Sequence, residues 1–193
     1  MKLILASKSA GRQAMLKNAG LSFEAVPAEI DERAIEAEQP SASPERLAAL
    51  LAEAKALNVA GQHTDSLVIG SDQVLEFNGQ IINKAESATL AKEKLKALRG
   101  GTHHLISAVS IAKGDQILWQ ASETARLTMH DFEDAYLDEY CEAAGDALTH
   151  NVGAYALEGI GVNLFEKIEG DYFTILGMPL LPLLKYLRSA GHV

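Results

Sequence analysis

The N-terminal segment combines hydroxyl and cationic side chains in a pattern suited to binding phosphate. Ser7, Lys8, Ser9 and Arg12 lie between a short apolar run and a helical pattern. Backbone N–H groups at a helix N-terminus favour anions, and these side chains would add donors and positive charge. The alternative is an ordinary N-cap followed by surface charges. The segment lacks the glycine-rich spacer of a Walker loop, so it does not belong to that class of phosphate site.

Asp72 is the carboxylate best placed for catalysis. It follows an apolar run at 67–71, which we predict to be a buried strand that ends at this residue. In α/β folds ligands bind at the carboxyl ends of strands, where an aspartate can hold a metal ion or accept a proton from water. The alternative is an aspartate that only stabilises a turn at the end of the strand.

The other charged candidates are weaker when each is taken alone. Asp31 and Glu32 offer oxygen ligands for Mg²⁺, although a solvated acidic pair in a loop is the simpler interpretation. Lys55 lies in a largely apolar helical pattern and Lys84 follows a strand, so solvent exposure is the default for both. The histidines and Cys141 match no zinc-ligand spacing.

Composition and charge exclude several classes of function. The chain has 193 residues, is 48% hydrophobic and 22% charged, and carries a formal net charge of −9. An acidic chain of this size is poorly suited to binding nucleic acid, which requires a broad basic face. Its single cysteine excludes an internal disulfide, and no apolar run is long enough for a signal peptide or a membrane span. We therefore predict a cytoplasmic protein that binds neither nucleic acid nor membranes.

Strand and helix patterns alternate along the chain, with hairpins among them, which indicates a mixed α/β fold. We expect Gly20 to end the first helix and Asn78-Gly79 to form a hairpin turn. We interpret 31–43 as a loop and 152–176 as rich in short strands. The predicted strands are 2–6, 22–27, 67–71, 104–112 and 117–129, and the predicted helices are 10–19, 43–59, 87–98, 131–144 and 179–189.

Several sequence blocks occur in a characteristic order from Leu3 to Leu187. They are LILASKSAGRQAML near the start, EIDE at 29–32, LAEAKA at 51–56, VIGSDQV at 68–74, NKAES at 83–87, LRGGTHHLISAVSI at 98–111, VGAYALEGIG at 152–161 and EGDYFTILGMPL at 169–180. In these blocks the chain resembles the Maf family of nucleoside triphosphate pyrophosphatases.

The resemblance implies a fold and an activity. The fold is an elongated mixed sheet flanked by helices, with two lobes and a central cleft, similar to the ITPase architecture and formed by residues 1–193 as a single domain. The activity is hydrolysis of the α–β phosphoanhydride bond of a nucleoside triphosphate, which releases pyrophosphate and a nucleoside monophosphate. Dimers are common among soluble proteins, so we expect a homodimer.

The resemblance also assigns roles to residues. Asp72 matches the catalytic carboxylate, and Asp31 and Asp72 are the implied ligands of Mg²⁺ or Mn²⁺. The implied phosphate-binding residues are Ser7, Ser9, Arg12, Lys55 and Lys84, and those linked to base specificity are Gly11, Gln73 and Glu158. The three cations among them would offset the charge of a triphosphate and of the leaving pyrophosphate.

Substrate choice within the family is indicated by two dipeptides. The branch that acts on dTTP and UTP carries Asp-Thr and Ile-Gln, where this chain has Asp72-Gln73 and Leu157-Glu158. This pairing resembles the 7-methyl-GTP branch, and a carboxylate suits both the donors of a guanine edge and a positively charged methylated ring. The dTTP/UTP activity is the alternative.

The chain also departs from the family pattern. The usual Ser-Pro-Arg-Arg turn appears as Ser9-Ala10-Gly11-Arg12, Lys-Pro as Lys84-Ala85, and Lys-Ala-Gly-Ala-Tyr as 151–155 with Asn151 in place of lysine. These departures leave open a non-catalytic nucleotide-binding regulator of septum formation, a role that the family resemblance also implies. A nucleotide-binding module with a different chemistry, such as nucleotidyl transfer, is a further alternative.

Overall fold

The computed structural model describes residues 2–192, which form a mixed α/β structure. The strands are β1 (Leu3–Leu5), β2 (Glu24–Ala25), β3 (Leu67–Phe77), β4 (Gln80–Ile82), β5 (Thr102–Lys113), β6 (Gln116–Met129) and β7 (Phe165–Glu169). The helices are α1 (Ala10–Asn18), α2 (Glu32–Glu38), α3 (Pro44–Ala60), α4 (Ala88–Leu98), α5 (Asp134–Ala144), α6 (Ala147–His150), α7 (Tyr172–Ile175) and α8 (Leu180–Ser189), with a 3-10 helix at Ile160–Leu164.

The seven strands form one mixed sheet in the order β2-β1-β3-β5-β6-β7, with β4 paired to β3. Strand β1 runs parallel to β2 and to β3, whereas β4 is antiparallel to β3 and β7 is antiparallel to β6. The predicted mixed sheet is therefore confirmed. The central cleft that the resemblance implies stays a prediction.

The chain divides into two compact units. The first contains residues 2–73, 106–123 and 171–192, and the second contains residues 74–105 and 124–170. In the first unit, Ile69 belongs to an apolar cluster with residues of α1 and α8, whereas Val68 belongs to another cluster with residues of α3. Successive residues of a strand point to opposite faces, so helices cover both faces of β3 in this unit.

Local sequence signals account for several element boundaries. The Ser43 hydroxyl accepts a hydrogen bond from the Arg46 N–H at the start of α3, and Ser87 does the same for Leu90 at the start of α4. Asn78 and Gly79 have φ values of 53° and 79° in the turn between β3 and β4, as a type I′ hairpin requires. These predicted boundaries are confirmed.

Two predicted boundaries near the candidate site were wrong. The stretch 31–43 is not all loop, because it contains α2, which Asp31 caps through its side chain. None of the residues of α2, all of which the structure describes, is buried, so the helix carries no apolar periodicity to detect. Strand β3 does not end before Asp72 but continues to Phe77, so Asp72 lies inside the strand.

The prediction for 152–176 was also wrong in part. This stretch contains the strand β7, but a 3-10 helix precedes β7 and the short helix α7 follows it. Its glycines break the local pattern, and the helical segments are too short to show a period. Within residues 2–192, no helix combines the length and apolar character that crossing a membrane requires.

Candidate active site

The turn before α1 holds both of the predicted phosphate-binding hydroxyls, those of Ser7 and Ser9. Ser7 Oγ accepts a hydrogen bond from the Ser9 N–H at 3.1 Å, and Ser9 Oγ accepts one from the Arg12 N–H at 3.3 Å. Ser9 is therefore the N-cap of α1, as the alternative interpretation of this segment predicts. Each hydroxyl can still donate its own hydrogen, so capping leaves both able to bind a phosphate oxygen.

Gly11 lies in the first turn of α1, whose N–H groups have no partner within the helix. A Cβ added at Gly11 would meet only Ser9 Oγ, at 3.8 Å, which is an ordinary contact. The local backbone therefore does not require glycine at this exposed position.

Lys55 joins two carboxylates in the first unit. Its Nζ lies 2.5 Å from Asp72 Oδ1 and 2.8 Å from Glu32 Oε1. The side chains of Lys55 and Asp72 are only 12% and 10% exposed, whereas that of Glu32 is 49% exposed. The lysine predicted to be a surface residue by default is therefore the partner of the predicted catalytic carboxylate.

Strand β3 presents different groups on its two faces around Asp72. Gly70 and Asp72 face α3, where a Cβ added at Gly70 would lie 2.1 Å from the Ala52 carbonyl oxygen. Ser71 and Gln73 face the other way and donate hydrogen bonds to the 174–177 segment. The missing side chain at Gly70 thus lets α3 pack against β3 closely enough for Lys55 to reach Asp72.

Arg12 is half-buried and lies within electrostatic range of the same carboxylates. Burial lowers the pKa of Arg12 from its ordinary value, and the negative charges of Asp72 and Glu32 oppose that shift. Its Nε–H donates to the Gly177 carbonyl at 2.9 Å. Arg12, Lys55 and Asp72, three of the predicted site residues, are therefore brought together in the first unit.

Glu36 of α2 also lies within electrostatic range of Glu32 and Asp72. Burial raises the pKa of Glu36, and the negative charges of Glu32 and Asp72 raise it further, while Arg33 opposes them. Helix α2, which the sequence pattern missed, therefore adds acidic side chains around the Lys55–Asp72 pair.

The oxygens of Asp72 and Glu32 are of the kind that a divalent cation such as Mg²⁺ takes as ligands. Mg²⁺ is typically held by one or two carboxylates together with substrate phosphates, rather than by a complete protein cage. Asp72 and Glu32 supply such oxygens beside Lys55. Among residues 2–192, no group of three or more His, Cys, Asp or Glu side chains is arranged to hold a metal ion. Asp31 Oδ1 caps α2 by accepting from the Ala34 N–H, and its role as a metal ligand stays a prediction.

Lys84 and Glu158 belong to the second unit and are both exposed. The neighbouring Lys94 donates to the carbonyls of Asn83, at 2.5 Å, and of Val152, at 2.9 Å. Burial, and secondarily the charge of Lys84, lower the pKa of Lys94 to about 8. The residue before Lys84 is thus tied to the glycine-containing segment that precedes Glu158.

The chain matches the sequence model of a known protein family over nearly the whole length of the chain. A family model described as Maf-like protein matches residues 2–190. The chain belongs to the Maf family.

Curated relatives with similar sequences are also full-length matches. A nucleoside triphosphate pyrophosphatase of Bradyrhizobium diazoefficiens is 49% identical over 187 residues, which cover 97% of this chain and 93% of that protein. A 7-methyl-GTP pyrophosphatase of Rhizobium meliloti is 48% identical over 193 residues, which cover 99% of this chain and 97% of that protein. Among solved structures, a HAM1 protein from Coxiella burnetii aligns with 80% of this chain and 94% of its own, at 12% identity and a TM-score of 0.47.

Sequence reasoning missed two features of this Maf protein. Glu32 was weighed only as part of an acidic loop pair, although it reaches Lys55, and an Asp capping signal at position 31 was available to place it on a helix. Lys94 had no signal at all, because its partners are backbone carbonyls that only the folded chain brings to it.

Proposed function

We propose that this protein is a nucleoside triphosphate pyrophosphatase, which hydrolyses the α–β phosphoanhydride bond to a nucleoside monophosphate and pyrophosphate. The observation that carries the proposal is the contact of the Lys55 ammonium with the buried Asp72 and the half-exposed Glu32, within electrostatic range of Arg12. Phosphoryl chemistry needs cations for the polyphosphate and a carboxylate for the water or the metal, and this cluster supplies both. Membership of the Maf family and the names of its full-length relatives support the same activity.

In this proposal the turn before α1 binds the phosphate tail. The hydroxyls of Ser7 and Ser9 and the first N–H groups of α1 donate to phosphate oxygens. Arg12 and Lys55 offset the negative charge that develops on the leaving pyrophosphate. Lys84 is the third cation proposed to bind phosphate.

Asp72 accepts a proton from the attacking water in the proposed reaction. Lys55 keeps this carboxylate oriented and partly neutralised, since it holds Oδ1 at 2.5 Å. Mg²⁺ or Mn²⁺ would be held by Asp72 with Glu32 or Asp31, and would supply Lewis-acid polarisation of the phosphate oxygens.

We further propose a 7-methyl-GTP-like substrate. Two curated full-length relatives, from Rhizobium meliloti and Rhizobium etli, are named 7-methyl-GTP pyrophosphatase, at 48% and 47% identity. Gly11, Gln73 and Glu158 are the proposed base-specificity residues. The exposed Glu158 carboxylate suits a cationic methylated ring, and the fold does not itself demand glycine at position 11. The cytoplasmic location and the homodimer stay predictions.

The test is release of pyrophosphate from a panel of 7-methyl-GTP, GTP, dTTP, UTP and CTP with Mg²⁺ or Mn²⁺. Asp72→Asn should lower kcat by about 10²-fold or more, because a positioned general base contributes at least that much. Its circular dichroism should match the native protein, and Asp65→Asn, in the exposed turn before β3, should leave kcat unchanged. Full activity of Asp72→Asn would remove Asp72 from the mechanism.

The same panel separates the competing functions. Preference for dTTP and UTP would replace the 7-methyl-GTP substrate with the alternative. Nucleotide binding without turnover under all metal conditions would favour a non-catalytic regulator, and formation of a phosphodiester product would favour nucleotidyl transfer.

A further inference from the structure

The segment 171–177, which contains α7, is held in place by polar side chains of β3 and β5. The Thr174 carbonyl accepts from Ser107 Oγ at 2.7 Å and from Gln73 Nε2 at 3.0 Å, and Gln73 Nε2 also lies 3.0 Å from the Ile175 carbonyl. The Thr174 carbonyl also accepts from the Gly177 N–H at 3.1 Å, so these side chains add to the backbone hydrogen bonding at the C-terminal end of α7. The amide nitrogen of Gln73, proposed above as a base-specificity residue, is therefore already hydrogen-bonded to backbone carbonyls of this segment.

The segment ends at a carbonyl that two side chains share. The Gly177 oxygen accepts from Arg12 Nε at 2.9 Å and from Ser71 Oγ at 3.1 Å. Gly177 has a φ of 107°, and a Cβ there would lie 3.6 Å from both Nε and Nη2 of Arg12. The Arg12 guanidinium thus lies directly against the Gly177 backbone. It shares the Gly177 carbonyl with the hydroxyl of Ser71, which is fully buried in the sheet.

The shared carbonyl matters because a guanidinium is planar and rigid. Once Nε–H is bonded to a fixed acceptor, the plane of the group is set, and with it the directions of the N–H groups on Nη1 and Nη2. Those remaining donors are the ones that can bind phosphate oxygens in a forked geometry. A small movement of the Gly177 carbonyl would therefore re-aim the donors of Arg12.

We propose that Ser71 is a positioning residue for Arg12, which it orients through the Gly177 carbonyl that both side chains share. The value of this orientation for substrate rests on the proposed function, in which Arg12 binds the phosphate tail. The alternation of side chains along β3 explains the arrangement. Asp72 faces α3 and contacts Lys55, while its neighbour Ser71 faces the opposite way and donates to the carbonyl that also binds Arg12.

The test compares Ser71→Ala with Ser110→Ala. Ser110 is equally buried in the first unit, on β5, but its hydroxyl accepts from Gln120 and makes no hydrogen bond to the 171–177 segment. The first readout is the NMR order parameter of the Arg12 Nε–H, whose signal is assigned by its absence in Arg12→Lys. The second is the dissociation constant of inorganic pyrophosphate, measured by calorimetry. Ser71→Ala should lower the order parameter and weaken pyrophosphate binding about fivefold, the effect of one hydrogen bond. It should also raise KM more than it lowers kcat, whereas Ser110→Ala should change none of these.

A double-mutant cycle decides whether Ser71 acts through Arg12. If it does, adding Ser71→Ala to Arg12→Ala should produce no further loss of pyrophosphate binding. An undiminished loss in that background, or equal effects of Ser71→Ala and Ser110→Ala, would overturn the inference. Failure of the proposed function looks different, since the native protein would then release no pyrophosphate from any nucleotide. In that case the order parameter of Arg12, which needs no substrate, still supports or overturns the positioning role.

Discussion

At the scale of single residues, the arrangement around Lys55 concentrates charge where solvent is scarce. Its ammonium group has three hydrogens, and the contacts to Asp72 and Glu32 account for two of them. Removing one partner of a mostly buried ion pair leaves the other charge uncompensated, which is costlier than losing a surface pair. Lys55 therefore contributes both to stability and to the proposed reaction.

We expect Lys55→Met to lower the free energy of unfolding by about 3 kcal/mol, as loss of one partner of a buried pair does. It should also lower kcat/KM for pyrophosphate release by about 10²-fold, since a preorganised charge at the reacting phosphate is lost. Urea unfolding and the release assay measure the two effects. Lys92→Met is the matched control, because Lys92 pairs with Asp138 at the surface of the second unit and should cost little. Native-like values for Lys55→Met in both assays would contradict the assignment.

At the scale of elements, the contact between α3 and β3 depends on the absence of a side chain. Gly70 faces the α3 backbone, where a Cβ would lie 2.1 Å from the Ala52 oxygen and 2.6 Å from the Ala56 nitrogen. Both atoms are backbone, so neither can turn aside as a flexible side chain would. Since Lys55 lies between these two alanines on α3, the same close packing delivers its ammonium group to Asp72.

Gly70→Ala should therefore force α3 away from β3. We expect a loss of about 2 kcal/mol in the free energy of unfolding from overpacking, together with reduced pyrophosphate release because Lys55 is withdrawn from Asp72. Gly61→Ala provides the comparison on the same helix: its φ is −60° and an added Cβ meets only the Leu57 oxygen, at 3.5 Å. That variant should be as stable as the native protein or slightly more so. Equal behaviour of the two variants in urea unfolding and in the release assay would argue against this packing constraint.

At the scale of the whole molecule, stability at mild acidity depends on a histidine in the core of the second unit. His103 is fully buried, its Nε2 lies 2.6 Å from Tyr155 Oη, and its ring packs against Phe165. Its Nδ1 has no hydrogen-bond partner among the described residues. Burial, and secondarily the nearby His104, lower the pKa of His103 to about 4, while Glu76 opposes the shift.

This shift predicts a loss of stability as the pH falls. Between pH 6.5 and pH 4 the unfolded chain binds a proton at His103 that the folded chain does not, so the free energy of unfolding decreases as pH falls through this window. Between pH 7 and pH 5 the histidine should account for about 2 kcal/mol of that decrease. His103→Gln, which keeps a hydrogen-bonding group without the titration, should remove this part of the pH dependence in urea unfolding. His104→Gln should retain it, and a native-like slope in His103→Gln would refute the assignment.

The elements differ in how far sequence could predict them. Asn78-Gly79, Gly20 and the serine caps were predictable because the required φ values and capping bonds involve residues only a few positions apart. Helix α2 was missed because an exposed helix has no apolar period. The length of β3 was missed because Ser71, Asp72 and Gln73 interrupt its apolar run, and their polar groups are satisfied by partners elsewhere in the chain.

The sequence by itself determined the family and the mixed α/β class, and it indicated Asp72, Lys55 and Arg12 as candidate site residues. Only the tertiary structure decided the pairings: Lys55 reaches Asp72 across 17 positions, and Arg12 reaches Gly177 across 165. Turns and caps are encoded locally because their hydrogen bonds span a few residues. Which distant residues come into contact depends on how closely helices and strands pack. Here Gly70 allows α3 to approach β3 closely, and Ser71, on the opposite face of β3, contacts the Gly177 carbonyl.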